Sequence, residues 1–278
     1  MGMIGGGIGA FIGDAHRRAS RICNDFELVC GVFDVNYERS REFAAKEDLD
    51  LDRCYESVDA MIEAELRLPA EQRMQSVSIV TPNALHFPFA KKLLQKGFHL
   101  VCEKPMTMTV EEAEELESLV ASTGLTFALT HTYTGYPMVR QMRDLVAKGV
   151  LGTIQRIDAQ YYQGWINSII HGTDSRITGV WRLDPKHAGV SSCMGDIGVH
   201  AFNLIEYTTG LGIKEILSDL SSVKDDVKLD LDGTVLLRFG KNLKGVIRAS
   251  QVCGGEENGL TLAIYGSKAI LKWGQDNP

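Results

Sequence analysis

Along the first 130 residues, short apolar runs alternate with stretches whose hydrophobic positions recur at helical spacing. The apolar runs at 2–5, 27–33, 76–81, 98–102 and 125–130 have the length of strands. The periodic segments at 10–23, 36–47, 57–66, 84–96 and 110–123 predict helices. The last helix carries its own punctuation: Thr109 with Glu112 forms a capping box, and Gly124 stands just past its end. Strands that are apolar throughout suit a parallel sheet covered on both faces. Strand and helix in alternation therefore predict an α/β, doubly wound domain over residues 1–130.

After residue 130 the order changes. A helix at 137–148 leads to a long strand at 153–163, then to a loop region containing Gly, Trp and Arg, then to a helix at 196–209. Strands follow at 213–221, 231–239, 243–252 and 260–273, the last with a turn at Gly266-Ser267. Lys241-Asn242 and Gly266-Ser267-Lys268 read as hairpin turns. This second part, 131–278, is expected to be an α+β domain on a mainly antiparallel sheet.

A chain of 278 residues is comfortable for two such domains. Its 44% apolar and 23% charged residues are ordinary for a globular protein, and a net charge of −7 argues against nucleic acid or an anionic membrane surface as the main partner. The six cysteines (Cys23, Cys30, Cys54, Cys102, Cys193, Cys253) are scattered without a C-x-x-C pair and read as reduced thiols of a cytoplasmic protein. Neither an apolar run long enough to cross a membrane nor a cleavable signal is present. Four residues precede Gly5, and the chain closes at Gln275-Asp276-Asn277-Pro278 directly after a strand-like run. Both ends read as clipped, so the expectation is a fragment of a longer protein, with part of the first strand and of the C-terminal domain missing and an unpaired edge on the second sheet.

Chemistry enters with the turn after the first strand. Gly5, Gly7 and Ala10 match the pattern G-x-G-x-x-A, with Ile8 and Gly9 between them. The first glycine makes the tight turn, the second lets the backbone approach a pyrophosphate, and the small third residue lets helix pack on strand. Free N–H groups at the start of the next helix then face the phosphates. That helix is amphipathic: Phe11, Ala15, Ala19 and Ile22 share a face from which Arg17, Arg18 and Arg21 largely turn away. The second strand ends at Asp34, where a carboxylate accepts from an adenosine ribose and repels a 2′-phosphate, so NAD is favoured over NADP. Arg39 and Arg41 lie close enough to keep NADP open.

Three clusters follow. Thr81, Pro82, Asn83 and His86 stand at the carboxyl end of a predicted strand, where ligands of open α/β sheets lie. Glu103-Lys104-Pro105 follows the next strand, and a lysine held there can donate to a substrate oxygen as an alkoxide builds up. Asp196, His200 and Asn203 fall on one face of a helix flanked by Gly195 and Gly198, and a carboxylate beside an imidazole suits a base acting near neutral pH. A metal set through Cys193, Asp196 and His200 has no H-x-x-x-H or paired cysteines behind it, so no metal is expected.

Taken in order, the glycine fingerprint, T-P-N-x-x-H, E-K-P and G-D-x-G-x-H resemble the glucose–fructose oxidoreductase, inositol dehydrogenase and rhizopine-catabolism (Gfo/Idh/MocA) oxidoreductases from Gly2 to about Trp273. The resemblance implies a Rossmann domain binding NAD through Gly5, Gly7, Ile8, Gly9, Ala10, Asp34, Arg39, Thr81, Pro82, Asn83, His86, Glu103 and Lys104. It implies Lys104, Asp196 and His200 as the catalytic set, and a C-terminal sheet used for substrate and homo-oligomer contacts. His131, Tyr133, Trp165, Trp181, Arg182 and Asn203 are candidate substrate contacts. Family members usually run longer than this chain. Their arginine-bearing segment after the sixth strand is here Thr130-His131-Thr132-Tyr133-Thr134-Gly135-Tyr136-Pro137, which bears on which substrate is taken. The expected activity is hydride transfer between NAD and a hydroxyl of a sugar, polyol or related compound. The alternatives are a hydrolase or lyase using bound NAD for transient oxidation, and a non-catalytic NAD-binding sensor.

Overall fold

The computed structural model describes residues 1–172 and 180–276; Asn277-Pro278 and part of the Trp- and Arg-containing loop region lie outside them. The chain forms two compact units, Met1–Thr130 and His131–Pro278.

In the first unit, strands β1 (Gly2–Gly5), β2 (Cys30–Val32), β3 (Ser76–Val80), β4 (His99–Cys102) and β5 (Phe127–Leu129) form a parallel sheet in the order β2-β1-β3-β4-β5. Helices α1 (Phe11–Cys23), α2 (Tyr37–Lys46), α3 (Val58–Arg67), α4 (His86–Gln95) and α5 (Val110–Thr123) connect them. Side chains of a strand alternate between faces, and β1 shows both faces covered. Met3 packs with Phe33, Phe43 and Val80, while Ile4 packs on the other side with Met61, Val77, Ile79, Leu93 and Leu100. The capping box of Thr109 and Glu112 is formed, and Gly124 adopts the left-handed cap at the end of α5.

Helix α1 departs from its pattern. Phe11 and Ile22 are 90% and 85% exposed, and Ala15 and Ala19 are exposed as well. The buried side carries Gly13, Arg17 and Ser20. The reason is backbone proximity: at Gly13 the helix runs so close to Gly6 that no Cβ fits. Arg17 then fills the remaining space, its guanidinium lying 4.7 Å above the Phe43 ring and donating to Gly6 O at 2.8 Å.

The second unit is a mixed sheet in the order β11-β10-β6-β9-β8-β7. Its strands are β6 (Ile154–Tyr162), β7 (Glu215–Ser221), β8 (Asp232–Arg238), β9 (Lys244–Ser250), β10 (Gly259–Gly266) and β11 (Ile270–Gly274), antiparallel except for the parallel pair β6/β9. Helices α6 (Pro137–Ala147), α7 (Trp165–Ile170), α8 (Pro185–Ala188) and α9 (Val199–Thr209) complete it. Ile157, Ala159, Tyr161, Val235, Leu237, Leu260, Leu262 and Ile264 build one core with Ala201, Leu204 and Ile205 of α9. The intervening residues Arg156, Thr234, Leu236 and Thr261 are exposed. The helix expected from 196 begins differently: Met194–Gly198 is a π-helical turn, and the α-helix starts at Val199. Two short helices, α7 and α8, occupy what the sequence pattern reads as loop.

Candidate functional site

The first group of residues surrounds the turn after β1. Gly5, Gly6 and Gly9 have φ of +82°, +77° and +81°, a region that side chains disfavour. Gly7 has no room: a Cβ there would lie 2.6 Å from Phe33 O, which the Gly7 N–H already bonds at 3.1 Å. Around Gly9 the space is open. Ala10 caps α1 without a side-chain hydrogen bond, so the N–H groups of its first turn remain for an anion. These residues fit a dinucleotide diphosphate. Asp34, two residues past β2, is held on both oxygens, Oδ1 accepting from Asn36 N–H at 2.9 Å and Oδ2 pairing with Arg39 Nε at 3.2 Å.

At the carboxyl ends of β3 and β4 the structure places Thr81-Pro82-Asn83 and Glu103-Lys104-Pro105, the latter with a cis Lys104–Pro105 peptide. His86, 1% exposed, lies between them and does not open outward: Nδ1 is 2.7 Å from Pro105 O and Nε2 is 2.9 Å from Thr81 O. Burial, the larger influence, lowers its pKa below the ordinary histidine value, against the pull of the two carbonyls. Glu103 is likewise buried and turned inward, 2.8 Å from His16 Nε2. Burial works to raise its pKa, but the hydrogen bonds of His16 and Thr130 and the charges of His16 and Lys104 outweigh it and hold it low.

The second group lies in the other unit. Asp196 sits in the π-helical turn, and its Oδ2 accepts from Arg182 Nε at 3.1 Å and Gln251 Nε2 at 2.9 Å. The turn is pinned by Asp230, whose carboxylate accepts the N–H groups of Ser192 and Met194 at 3.0 and 2.8 Å. The Arg182 guanidinium lies 4.4 Å from the Trp181 ring and 5.8 Å from that of Trp165. His200 is buried, its ring 4.9 Å from Tyr133 and 5.9 Å from His131, both edge-on. Behind it Tyr133 Oη meets Tyr161 Oη at 2.5 Å, Tyr161 bonds Asn258, and Gln163 links Asn258 at 2.7 Å to Trp165 Nε1 at 2.9 Å. Burial raises the pKa of both tyrosines, keeping them as hydroxyl donors. Asn203 is half-buried on α9. Thus the structure brings Asp196, Arg182, Trp165 and Trp181 into one cluster and His131, Tyr133 and His200 into another, joined through Gln163. Among the described residues no three His, Cys, Asp or Glu side chains could hold a metal ion.

Sequence reasoning misses His16, Ser78, Gln251, Asp230, Tyr161 and Asn258. Each acts across long sequence separations, so local motifs give no signal for them.

A family model described as the GFO_IDH_MocA oxidoreductase family, NAD-binding Rossmann fold, matches residues 1–131, and a GFO/IDH/MocA C-terminal domain model matches 139–272. An uncharacterized oxidoreductase, YfiI, of Bacillus subtilis (strain 168) is 32% identical over 99% of this chain and 70% of its own length. An inositol dehydrogenase homologue from Azotobacter vinelandii, solved with NAD+, superposes with a TM-score of 0.93 at 33% identity, covering 99% of this chain and 70% of that one. The crystal structure from the same organism complexed with NADH and myo-inositol gives 0.91 at 32% identity with the same coverage.

Proposed function

The chain belongs to the Gfo/Idh/MocA oxidoreductase family, and from that premise we propose that it oxidises a hydroxyl of a sugar, polyol or related compound with NAD. The bound dinucleotide supplies the hydride acceptor. The protein supplies position and proton transfer. The glycine turn and the first turn of α1 hold the diphosphate, and Asp34 takes the ribose hydroxyls. His200 removes the hydroxyl proton, within a cluster that its aromatic neighbours keep dry and rigid. Asp196, fixed in rotation by Arg182 and Gln251, sets the local charge for that transfer. Lys104 donates to the substrate oxygen as negative charge builds on it. Trp165, Trp181, Arg182, His131, Tyr133 and Asn203 shape the substrate's surroundings. The free thiols and the exposed side of the second sheet support a cytoplasmic homo-oligomer assembled through that sheet.

The observation carrying this reading is that the Gly5–Ala10 turn and Lys104 both stand at the carboxyl edge of one parallel sheet, where such sheets bind ligands. Incubating the protein with NAD and a panel of polyols and sugars tests it. At least one should give NADH at a rate that Lys104→Ala lowers about 10²–10⁴-fold; a panel without NADH formation overturns the reading.

A further inference from the structure

His16 lies on α1, one turn beyond the phosphate-facing end, yet it points across the sheet. Nδ1 meets Ser78 Oγ of β3 at 2.7 Å and Nε2 meets Glu103 Oε1 at 2.8 Å. A carboxylate only accepts, so Nε2 carries a proton in either charge state of the ring, while the serine hydroxyl can serve Nδ1 as donor or acceptor. The other oxygen of Glu103 accepts from the backbone N–H of Lys104 at 3.3 Å. Two successive hydrogen bonds therefore run from an imidazole on α1 to the amide of the lysine. Glu103 N–H is also bonded to Ile79 O at 3.0 Å, which ties the same residue to β3. On the far side of Lys104, Pro105 O is held by His86. The backbone around the lysine is thus held at the residue before it and at the residue after it.

We propose that His16 is a positioning residue for Lys104, acting through the Glu103 carboxylate. This rests on the reading of Lys104 as the group that stabilises the substrate oxygen. A charged carboxylate that is 7% exposed needs donors. The groups facing it are His16 from α1, Thr130 beyond β5, His86 from α4, and Cys102 and Lys104 on its own strand end. Of these, the His16 hydrogen bond contributes most to keeping Glu103 ionised. Without it the carboxyl takes up a proton at higher pH, and a protonated Glu103 can turn its O–H elsewhere and release the Lys104 amide. Misplacement of a charged group by about an ångström costs up to roughly 10²-fold in rate.

The experiment compares His16→Gln, which keeps an N–H donor in reach of Glu103, with His16→Leu, which fills the space without one. In the full chain, 13C titration follows the Glu103 carboxyl carbon and the Lys104 Cε, assigned by Glu103→Gln and Lys104→Arg. The expected result is a Glu103 titration moved to higher pH and a displaced Lys104 Cε resonance in His16→Leu, with both near wild type in His16→Gln. Kinetics on a polyol that the panel identifies should show kcat about 10–100-fold lower in His16→Leu, an acid limb moved to higher pH, little change in KM, and substantial recovery in His16→Gln. If both variants titrate like wild type at Glu103, or if the two substitutions are indistinguishable at Lys104, the proposal is overturned. Because the titrations need no substrate, absence of dehydrogenase activity would count against the proposed function while the carboxyl curves still decide the role of His16.

Discussion

Gly7→Ala puts a methyl group where the turn after β1 passes the end of β2. The new Cβ would lie 2.6 Å from Phe33 O and 3.2 Å from Phe33 C, against an ordinary contact of at least 3.4 Å. Both obstructing atoms are backbone, and the Gly7 N–H is bonded to the same oxygen, so no flexible side chain can yield. The turn has to retreat by most of an ångström. Overpacking of this kind costs about 1–3 kcal/mol, which for a unit of this size lowers Tm by roughly 3–12 °C. The same retreat draws the N–H donors at the start of α1 away from a diphosphate. Losing one hydrogen bond to a charged group, worth about 1.5–3 kcal/mol, weakens Kd for NAD roughly 10–100-fold. Differential scanning and isothermal titration calorimetry read the two effects separately. Gly135→Ala, at a glycine with nothing within 4 Å of the added atom, is the control and should melt within about 0.5 kcal/mol of wild type. A Gly7→Ala protein that melts with wild type and binds NAD within a factor of two would refute the close-approach argument.

Replacing Lys104 or His200 by alanine should lower kcat about 10²–10⁴-fold with little change in NAD affinity, measured by steady-state kinetics beside calorimetry; near-normal turnover removes either from the catalytic set. Asp34→Ser frees the Arg39 guanidinium that Asp34 now holds, so the preference for NAD over NADP should narrow by about tenfold in paired titrations; a native preference for NADP contradicts the assignment. Arg17→Leu should cost about 1–3 kcal/mol in denaturant melts, because Gly6 O loses its donor, and Arg17→Lys should recover little of it. Stability should be greatest between about pH 7 and 9. Burial lowers the His86 pKa from 6.5, and Glu103 lies below 4.5, so their contributions are present at neutral pH and are lost as the unfolded chain takes up protons on acidification. Burial raises the Cys30, Cys102 and Cys193 thiols above 9.0, so stability is lost again where unfolded thiols ionise. Urea midpoints that rise from pH 7 to 5 would contradict these signs.

The features legible in the sequence are those written in local periodicity and turn chemistry. The strand–helix alternation, the capping box at Thr109 and the Gly124 cap follow from residues within one turn of each other. The glycine turn is legible for the same reason. Helix α1 shows where this fails: its apolar stripe faces outward, because close backbone approach at Gly13 decides which side is buried and periodicity carries no information about that. The π-helical turn at Met194–Gly198 depends on Asp230, which accepts from it across 36 residues of chain. The hydrogen-bond partners of His86 and Glu103, Pro105 O and His16, stand 19 and 87 residues away in the chain, beyond the reach of any local motif. Residue type and strand-end position identify where chemistry gathers; how each side chain there is held depends on partners from distant segments.

The most direct test of hydride transfer uses a polyol substrate deuterated at the carbinol carbon, incubated with NAD and the full chain and followed by NMR. The account predicts that one deuterium per oxidised hydroxyl appears on the nicotinamide ring of the reduced cofactor, with matching carbonyl product, and that Lys104→Ala and His200→Ala suppress both together. Substrate conversion that leaves NAD unreduced at the end of the reaction, or NAD binding without any transfer of deuterium, would contradict it.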